Sequence, residues 1–251
     1  AARDYGQYCG LARALDAVGD RWALLVVRDL LSGPHRFGEL QTSLSRIPSN
    51  VLTNRLKELE AVGVVERVVL PSPARGTAYA LTDLGRGLEP TLVALGRWGA
   101  PMLGEPREGE VVTAESFAMA LRTTFRPEST TDLAGPVVYE LHLGDLVVHA
   151  RVTAGAVDVR TGPADTPDLV VRTDRRIKAV MAGEVTPAAA LGDGLVSIDG
   201  DRAAVAIDHG EKTVSEPGVG AAGNGTRFVR SSFAASVFAN ALSLSASTGN
   251  T

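Results

Sequence analysis

Side chains with hydrogen-bonding groups recur at helical spacing within residues 49–62. Positions i, i+3, i+4 and i+7 of one predicted helix face carry Asn50, Thr53, Asn54 and Lys57. No acidic residue shares this face. Amide, hydroxyl and ammonium groups donate hydrogen bonds to phosphates, and amides and hydroxyls also match base edges in a major groove. The spacing therefore predicts a surface for duplex DNA, and a plain solvated helix face is the alternative.

The chemistry of each group predicts its partner on DNA. The amides of Asn50 and Asn54 match adenine edges, and the methyl group of Thr53 matches a thymine methyl. We expect four cationic side chains at phosphates or in a groove, namely Lys57, Arg46, Arg36 and Arg75. Ser49, the predicted N-cap of the helix, is included among the contact candidates. Arg55 is a further candidate, with an intramolecular role as the alternative.

Other reactive groups do not form a site in the sequence. The chain has four histidines, His35, His142, His149 and His209. Their spacing is not that of metal ligands, and the single cysteine, Cys9, has no second thiol to join it. Glycine-rich phosphate loops of the P-loop or dinucleotide type are absent from the sequence. We therefore predict no enzymatic activity, no metal and no cofactor.

The segments before and within residues 49–62 predict a series of helices. Apolar periodicity predicts a first helix over Gly10–Val18, a second that Asp20 caps, and a third over about residues 37–44. Ser49 then caps a fourth helix, which Gly63 ends. The turn at residues 45–48 separates the third helix from the fourth.

A hairpin and a strongly apolar helix follow. Segments 64–70 and 77–81 are β-branched and apolar, and the turn between them has a basic tip. Helix, turn, helix and hairpin is the order of a winged helix-turn-helix. Thr82 caps a last helix, whose apolar residues are Leu84, Leu88, Leu92, Leu95 and Trp98. This helix is too apolar for a lone surface helix, so we expect a partner subunit to cover it.

Three stretches of this first half resemble a known family. They are CGLARALDAVGDRWALLVVRDLLSGPHRFGEL from Cys9, then IPSNVLTNRLKELEAVGVVER, then YALTDLGRGLEPTLVALGRWG. Together they resemble the HxlR family of bacterial winged-helix regulators over about residues 8–103. The resemblance implies a homodimer that binds a pseudo-palindromic operator in duplex DNA. It also implies that the helix from Ser49 enters the major groove and that the wing around Arg75 lies near the backbone or minor groove.

Cys9 stands where many members of that family carry an N-terminal cysteine, which some relatives use to sense oxidants or electrophiles. The family pattern often continues with proline, whereas Gly10 follows here. Because the chain has one cysteine, a disulfide would have to join two subunits. Arg13, one turn further on, is expected to stabilise the thiolate. The alternative is a small apolar residue in the dimer core.

The second half predicts an α+β domain after a polar boundary at residues 104–110. Thr113 caps a helix through Phe125, and Asp174 caps a helix through Met181. The predicted strands are Val137–Leu143, Leu146–Thr153, 156–160 and Leu169–Thr173. A short helix at 187–191 precedes a hairpin of segments 195–198 and 203–207.

The stretch DLVVRTDRRIKAVMAGEVTPAAALGDGLVSIDGDRAAV from Asp168 resembles the end of sterol-carrier-protein-like domains. The resemblance covers about residues 112–210 and implies an apolar tunnel for a lipid or another hydrophobic small molecule. Candidate ligand-binding residues are Phe117, Leu121, Phe125, Val148 and Met181, with plain core packing as the alternative. An architectural domain that binds no ligand is the other interpretation of this half.

The predicted fold class is therefore α+β, with an N-terminal winged helix-turn-helix followed by a sterol-carrier-protein-like domain. The predicted boundaries are 1–104 for DNA binding and dimerisation, 111–210 for the second domain, and 211–251 for a Gly-rich linker, a helix and a frayed tail.

Charge differs between the halves. Residues 1–104 hold 12 Lys and Arg against 10 Asp and Glu, a balance of +2, whereas residues 105–251 hold 13 against 19, a balance of −6. DNA contact is thus expected in the first half. We predict a cytoplasmic, non-membrane repressor whose DNA binding a hydrophobic effector modulates. The alternatives are a thiol-redox regulator acting through Cys9 and a lipid carrier whose winged helix has no DNA role.

Overall fold

The computed structural model describes residues 4–104, 107–131, 133–174, 185 and 187–200. Its helices are α1 (Gly10–Val18), α2 (Ala23–Leu30), α3 (Phe37–Ser43), α4 (Ser49–Ala61), α5 (Asp83–Arg86), α6 (Glu89–Gly99), α7 (Ala114–Thr124) and α8 (Pro187–Gly192). Its strands are β1 (Val65–Leu70), β2 (Gly76–Leu81), β3 (Val137–Leu143), β4 (Leu146–Thr153), β5 (Ala156–Thr161), β6 (Leu169–Thr173) and β7 (Val196–Gly200). Short 3₁₀ helices lie at Ala100–Met102 and Pro127–Thr130.

The start of α2 differs from the prediction that Asp20 caps it. The helix begins at Ala23, after Trp22, whose backbone has a φ of 80°. The Asp20 carboxylate instead accepts a hydrogen bond from Nη1 of Arg55 at 2.6 Å. The prediction that Asp20 caps α2 is therefore wrong, because the Asp20 carboxylate forms an ion pair with a residue of α4.

Helix α4 has its predicted length and its predicted buried face. Leu52, Leu56 and Leu59 are at most 1% exposed, and they belong to the core of the first half. Ser49 is the first helical residue rather than the cap, because Pro48 holds the N-cap position and no side chain caps this end. Gly63, with a φ of 74°, ends the helix, as a left-handed residue at this position does.

The hairpin of β1 and β2 gains a third extended segment. β1 and β2 pair antiparallel from Val65 opposite Leu81 to Leu70 opposite Gly76. The backbone of His35 exchanges hydrogen bonds with Tyr79 in β2, with N···O distances of 2.9 and 2.8 Å. The segment before α3 is thus joined to the wing, which we define as β1, β2 and residues 71–75.

The last helix of the first half is interrupted. Thr82 caps it as predicted, because its hydroxyl oxygen accepts a hydrogen bond from the backbone of Gly85. The single helix expected after Thr82 is instead split into α5 and α6 around residues 87 and 88. Pro90 lies in the first turn of α6, where its missing N–H is tolerated, and it cannot extend the hydrogen-bond ladder of α5.

The second half is a five-stranded mixed sheet with α7 against it. The strand order is β5-β4-β3-β6-β7, in which β3 and β6 run parallel and the other neighbours are antiparallel. Thr113 and Ser116 form a capping box at the start of α7, as the predicted cap at Thr113 requires. β7 continues through Gly200, so residues 199 and 200 extend a strand that was expected to turn there. The helix predicted over 174–181 and the strand predicted over 203–207 lie outside the described residues.

Two apolar cores lie on either side of the boundary predicted at residues 104–110. One is built from α1, α2, α3, α4, β1, β2 and α6, and the other from α7, α8 and the inward face of the sheet. Met119 of α7 packs against the first core, although α7 belongs to the second. The two halves are therefore in direct contact through α7. Among the described helices, none is long and apolar enough to cross a membrane.

Candidate nucleic-acid interface

The outer face of α4 carries the side chains that the spacing singled out. Asn50, Thr53, Asn54 and Lys57 are all exposed, on the side of the helix opposite the buried leucines. The hydroxyl of Thr53 donates to the carbonyl oxygen of Ser49 at 2.8 Å. This bond satisfies the hydroxyl within the helix and leaves the methyl group for apolar contact. Within the described residues Lys57 has no ion pair, so its ammonium group is available to a phosphate.

Arg55 lies on the same helix, but its guanidinium binds groups within the protein. Its side chain is 14% exposed, and its guanidinium pairs with Asp20 and Glu58. It therefore ties α4 to the segment before α2. This geometry matches the intramolecular alternative for Arg55.

The wing is held against α3 by an arginine. Nη2 of Arg36 donates to the backbone carbonyl oxygen of Arg75 at 2.7 Å. A Cβ at Gly76, whose φ is 130°, would lie 3.3 Å from Nη1 of Arg36, so glycine permits the guanidinium to approach the wing. The Arg75 side chain itself is exposed. The hydrogen bond places Arg36 between the two elements rather than free at the surface.

Arg46 lies in the turn between α3 and α4. Its Nη2 atom donates to the carbonyl oxygen of Gly109 at 2.9 Å and to that of Glu108 at 3.4 Å. These carbonyls belong to the segment that joins the halves. The turn of the helix-turn-helix pair is thereby attached to this connecting segment, and the Arg46 side chain remains exposed.

Comparison with known proteins assigns this arrangement to a family. Residues 17–106 match the model described as HxlR-like helix-turn-helix. The HTH-type transcriptional regulator YvaP of Bacillus subtilis (strain 168) is 42% identical over 86 residues, which are 34% of this chain and 80% of that protein. This chain belongs to the HxlR family. The HTH-type transcriptional regulator Rv3095 of Mycobacterium tuberculosis is 41% identical over 96 residues, 38% of this chain and 60% of that protein.

A solved structure is also similar to part of this chain. The reduced form of the transcriptional regulator YodB from B. subtilis is 34% identical, and the match covers 37% of this chain and 92% of that one with a TM-score of 0.34. The HxlR assignment establishes the first half as a winged helix-turn-helix of DNA-binding transcriptional regulators. The family match ends at residue 106, so the sheet and α7 lie beyond it.

Cys9 is exposed and immediately precedes α1. Backbone N–H groups of Ala12 and Leu11 hold the pKa of its thiol below the ordinary value. Arg13 was expected to supply this stabilisation. Its guanidinium instead lies 3.6 Å from carboxylate oxygens of Asp4 and Asp16. The first turn of the helix, rather than the arginine, stabilises the thiolate here.

The candidate ligand-binding residues of the second half lie together in its core. Phe117 and Leu121 of α7, Phe125 directly after this helix and Val148 of β4 are at most 7% exposed and belong to one apolar cluster. Met181 lies outside the described residues. The four described side chains fill the layer between α7 and the sheet, which also matches the alternative of plain core packing.

The histidines of the sheet have local partners. Nε2 of His142 lies 2.7 Å from Oε1 of Glu140, and Nδ1 of His149 lies 3.0 Å from the carbonyl oxygen of Gly162. Among the described residues there is no group of three or more His, Cys, Asp or Glu side chains arranged to hold a metal ion.

Polar residues between the two halves form contacts that the sequence pattern did not predict. His35, which precedes α3, and Ser43, the last residue of α3, contact Glu115 of α7, and Arg122 of α7 is only 4% exposed. A signal for Arg122 was present, because it lies four positions after Ala118 and so falls at the edge of the apolar stripe of α7. A charged residue in such a stripe indicates a buried polar contact. No local pattern indicated His35 or Glu115.

Proposed function

We propose that this protein is a homodimeric repressor that binds a pseudo-palindromic operator through α4. The observation that carries the proposal is the exposed face of α4 that holds Asn50, Thr53, Asn54 and Lys57, set on three leucines that are fully buried in the winged-helix core. A recognition helix requires such an arrangement, with a rigid apolar side and a free polar side. Membership in the HxlR family supports DNA as the partner of this face.

The proposed contacts divide into base and phosphate contacts. Asn50 and Asn54 read adenine edges, and the methyl of Thr53 meets a thymine methyl. Lys57, Arg75 of the wing and the first-turn residue Ser49 contact the backbone. Arg36, Arg46 and Arg55 bind groups within the chain, which supports positioning roles for them.

The proposed dimer covers apolar side chains that the single chain leaves exposed. They lie on α1, on α5 and α6, and just after α6: Leu11, Leu15, Leu84, Leu95, Trp98, Met102 and Leu103 are between 41% and 73% exposed. Large apolar groups at this density on one small unit are typical of a surface that a partner covers. A second copy would also supply the second recognition helix that a palindrome requires.

We further propose that the second half is a sterol-carrier-protein-like domain in which a hydrophobic small molecule modulates DNA binding. The clustering of Phe117, Leu121, Phe125 and Val148 between α7 and the sheet supports an apolar site in this layer. Because these side chains are packed, a ligand would have to replace contacts between them. The packing of α7 against both cores supports a route from such a site to the winged helix.

A second candidate function is regulation by thiol oxidation. The exposed thiol of Cys9 and its lowered pKa favour this candidate, because a thiolate reacts with oxidants and electrophiles. Oxidation would join two subunits through their Cys9 residues.

Two experiments test the proposed function. Selection of duplexes from a random pool with the full chain should enrich two symmetric half-sites, and the affinity for the enriched duplex should fall steeply as salt rises. Enrichment of no sequence, or of an asymmetric single site, would contradict the operator proposal.

Native mass spectrometry of the purified protein should show an apolar molecule, and its removal should change the affinity for the enriched duplex. A protein that is empty as purified would contradict the effector proposal.

A further inference from the structure

One carboxylate of the second half binds both sides of helix α3. Oε2 of Glu115 accepts a hydrogen bond from the hydroxyl of Ser43, the last residue of α3, at 2.8 Å. Oε1 of Glu115 lies 3.3 Å from Nε2 of His35, which immediately precedes the N-cap residue of α3. Glu115 is 72 and 80 positions away from these residues in sequence. A side chain of α7 thus fixes both ends of the first helix of the helix-turn-helix pair.

The contact is shielded from water. The side chains of His35 and Glu115 are 9% and 13% exposed. The start of α7 is held in place by the Thr113–Ser116 capping box, and Oγ1 of Thr113 lies 3.3 Å from Oγ of Ser43. Hydrogen bonds with an ionised partner are stronger than neutral ones, and low exposure reduces their screening by salt. The contact therefore differs from an ordinary surface ion pair.

The surroundings of His35 favour its imidazolium form. Nδ1 lies 2.9 Å from the carbonyl oxygen of Gly33, so this nitrogen must carry a proton. Nε2 faces the Glu115 carboxylate, which is also an acceptor. A neutral imidazole has one N–H and leaves one of these acceptors unsatisfied, whereas the imidazolium satisfies both. The charged groups around His35 are Glu115 on α7 and Asp29 on α2, with Arg28 bound to Asp29.

The pKa values agree with this geometry. Burial by itself lowers the pKa of His35, but the hydrogen bonds to Glu115 and Gly33 and the charges of Glu115 and Asp29 raise it above the ordinary 6.5. Burial by itself raises the pKa of Glu115, but the bonds from His35, its own backbone, Ser43 and Thr113 lower it to about 2. Burial raises the pKa of Asp29, and the charge of Arg28 opposes this.

Helix α3 is the element through which this contact can act on DNA binding. Leu40 and Leu44 lie in the same core as the buried leucines of α4, and five residues, 44–48, join the two helices. A displacement of α3 would therefore disturb the packing under the recognition helix, since close-packed side chains transmit strain.

We propose that Glu115 is a positioning residue for DNA binding, which holds α3 through the His35 imidazolium and Ser43 and so makes operator affinity depend on the second half. The inference rests on the proposed DNA-binding function. It predicts that loss of the His35 proton weakens the attachment of α7 to α3. The coupling is pH-sensitive in one direction, because the attachment is complete below pH 6.5 and is lost as pH rises through the raised pKa of His35. Glu115 stays ionised throughout this range.

The first test uses the full chain without DNA. An NMR titration of the His35 ring should give a midpoint above 6.5 in the wild type and a lower midpoint in Glu115→Gln, which keeps the shape but removes the charge. Hydrogen exchange of the α3 amides should be faster in Glu115→Gln. The matched control is Glu128→Gln, the same change at an exposed site of the second half, and it should alter neither quantity. An unchanged His35 midpoint or unchanged α3 exchange in Glu115→Gln would overturn the proposal.

The second test measures affinity for the selected duplex between pH 6 and 8.5. Wild-type affinity should fall with rising pH, and His35→Gln should remove that part of the pH dependence without a change at the DNA-facing residues. Glu115→Gln should weaken binding about tenfold at pH 6, within the range of ordinary coupling between sites. Equal affinity and equal pH profiles of wild type, His35→Gln and Glu115→Gln would overturn the inference. If the wild type selects no duplex, the proposed function fails, and the DNA-free test still decides whether Glu115 holds α3.

Discussion

The guanidinium of Arg36 and the backbone carbonyl of Arg75 lie 2.7 Å apart, although 39 positions separate the two residues in sequence. Arg36 is also the N-cap residue of α3, where its backbone N–H donates to Glu39. This residue therefore fixes the tip of the wing relative to the first helix of the helix-turn-helix pair. The sequence pattern predicts that this guanidinium contacts a phosphate directly. A phosphate contact and a positioning role for Arg36 predict different effects of mutation.

Replacement of Arg36 by Gln should loosen the wing and reduce affinity for the selected duplex about three- to tenfold, the effect of one typical net hydrogen bond of about 1 kcal/mol. Replacement of Arg75 by Ala removes a wing side chain but leaves the carbonyl. If Arg36 acts by positioning the wing, Arg36→Gln should reduce DNA affinity less when Arg75 is already Ala, because the wing side chain that it positions is then absent. A double-mutant cycle measures this difference. Additive effects, with a lower salt dependence for Arg36→Gln alone, would indicate a direct phosphate contact instead.

The two kinds of contact on α4 should separate in a specificity measurement. Lys57→Ala should weaken binding to all duplexes about equally and lower the salt slope by about 1, because a phosphate contact carries no base information. Asn54→Ala should cost about 1–3 kcal/mol and should also reduce the preference for its base pair. Titrations of single-base variants of the selected duplex at fixed salt measure both effects. Unchanged affinity in both variants would contradict the assignment of α4 as the recognition helix.

The exposed apolar side chains of α6 should control assembly. Trp98 is 65% exposed, and a charge at its position should make a covered apolar interface unfavourable. Trp98→Glu should therefore sediment as a monomer at concentrations where the wild type is a dimer, and it should lose affinity for a duplex with two half-sites. Val69→Glu is the matched control, because Val69 is 83% exposed on β1, and it should remain dimeric. A dimeric Trp98→Glu variant would place the interface elsewhere.

The buried guanidinium of Arg122 should stabilise the contact between the halves. It donates to Glu89 of α6 at 3.0 Å, to the carbonyl of Leu31 after α2 at 3.0 Å, and to the carbonyl of Val159 in β5. Arg122→Ala should lower the free energy of unfolding by about 2–4 kcal/mol, because it leaves these acceptors without their donor. The exposed Arg151 offers a control, since Arg151→Ala should change it by less than about 0.5 kcal/mol. Urea unfolding measures both, and equal values would show that Arg122 adds no net stability.

The thiol of Cys9 should react faster than an unperturbed cysteine at neutral pH. Backbone N–H groups at the start of α1 hold its pKa below the ordinary value, so the thiolate fraction at pH 7 is larger. Treatment with diamide should give a disulfide-linked dimer on a non-reducing gel and change the affinity for the selected duplex. Cys9→Ser should bind the duplex normally and lose both responses. A wild-type protein whose DNA binding ignores diamide would exclude the redox candidate.

Local pattern predicted most of the helices and strands in the part of the chain that the structure describes. Helix α1 has the predicted bounds, and strands β3, β4 and β6 begin and end where alternation placed them. The caps at Thr82 and Thr113 were also predicted, because a hydroxyl and a backbone N–H three residues later are neighbours in sequence. The polar and apolar faces of α4 follow from helical periodicity alone. The family and its DNA-binding role rest on the same local sequence.

Contacts between residues that are distant in sequence determined which groups the long charged side chains bind. Arg55 takes the Asp20 carboxylate away from α2, Arg36 binds the wing, and Arg46 binds the connecting segment. Long charged side chains have many possible partners, and only the packed arrangement of helices selects one of them.

The two halves are also joined by contacts between residues that are distant in sequence. Glu115 meets His35 across 80 positions, and Arg122 meets Leu31 across 91. Neither pair has a sequence signature, because a hydrogen bond depends on the distance and direction between its atoms, which only the fold determines. The sequence by itself determined which helix carries the exposed polar face that we propose contacts DNA. The tertiary structure decided which residues hold that helix in place and through which contacts the second half can act on it.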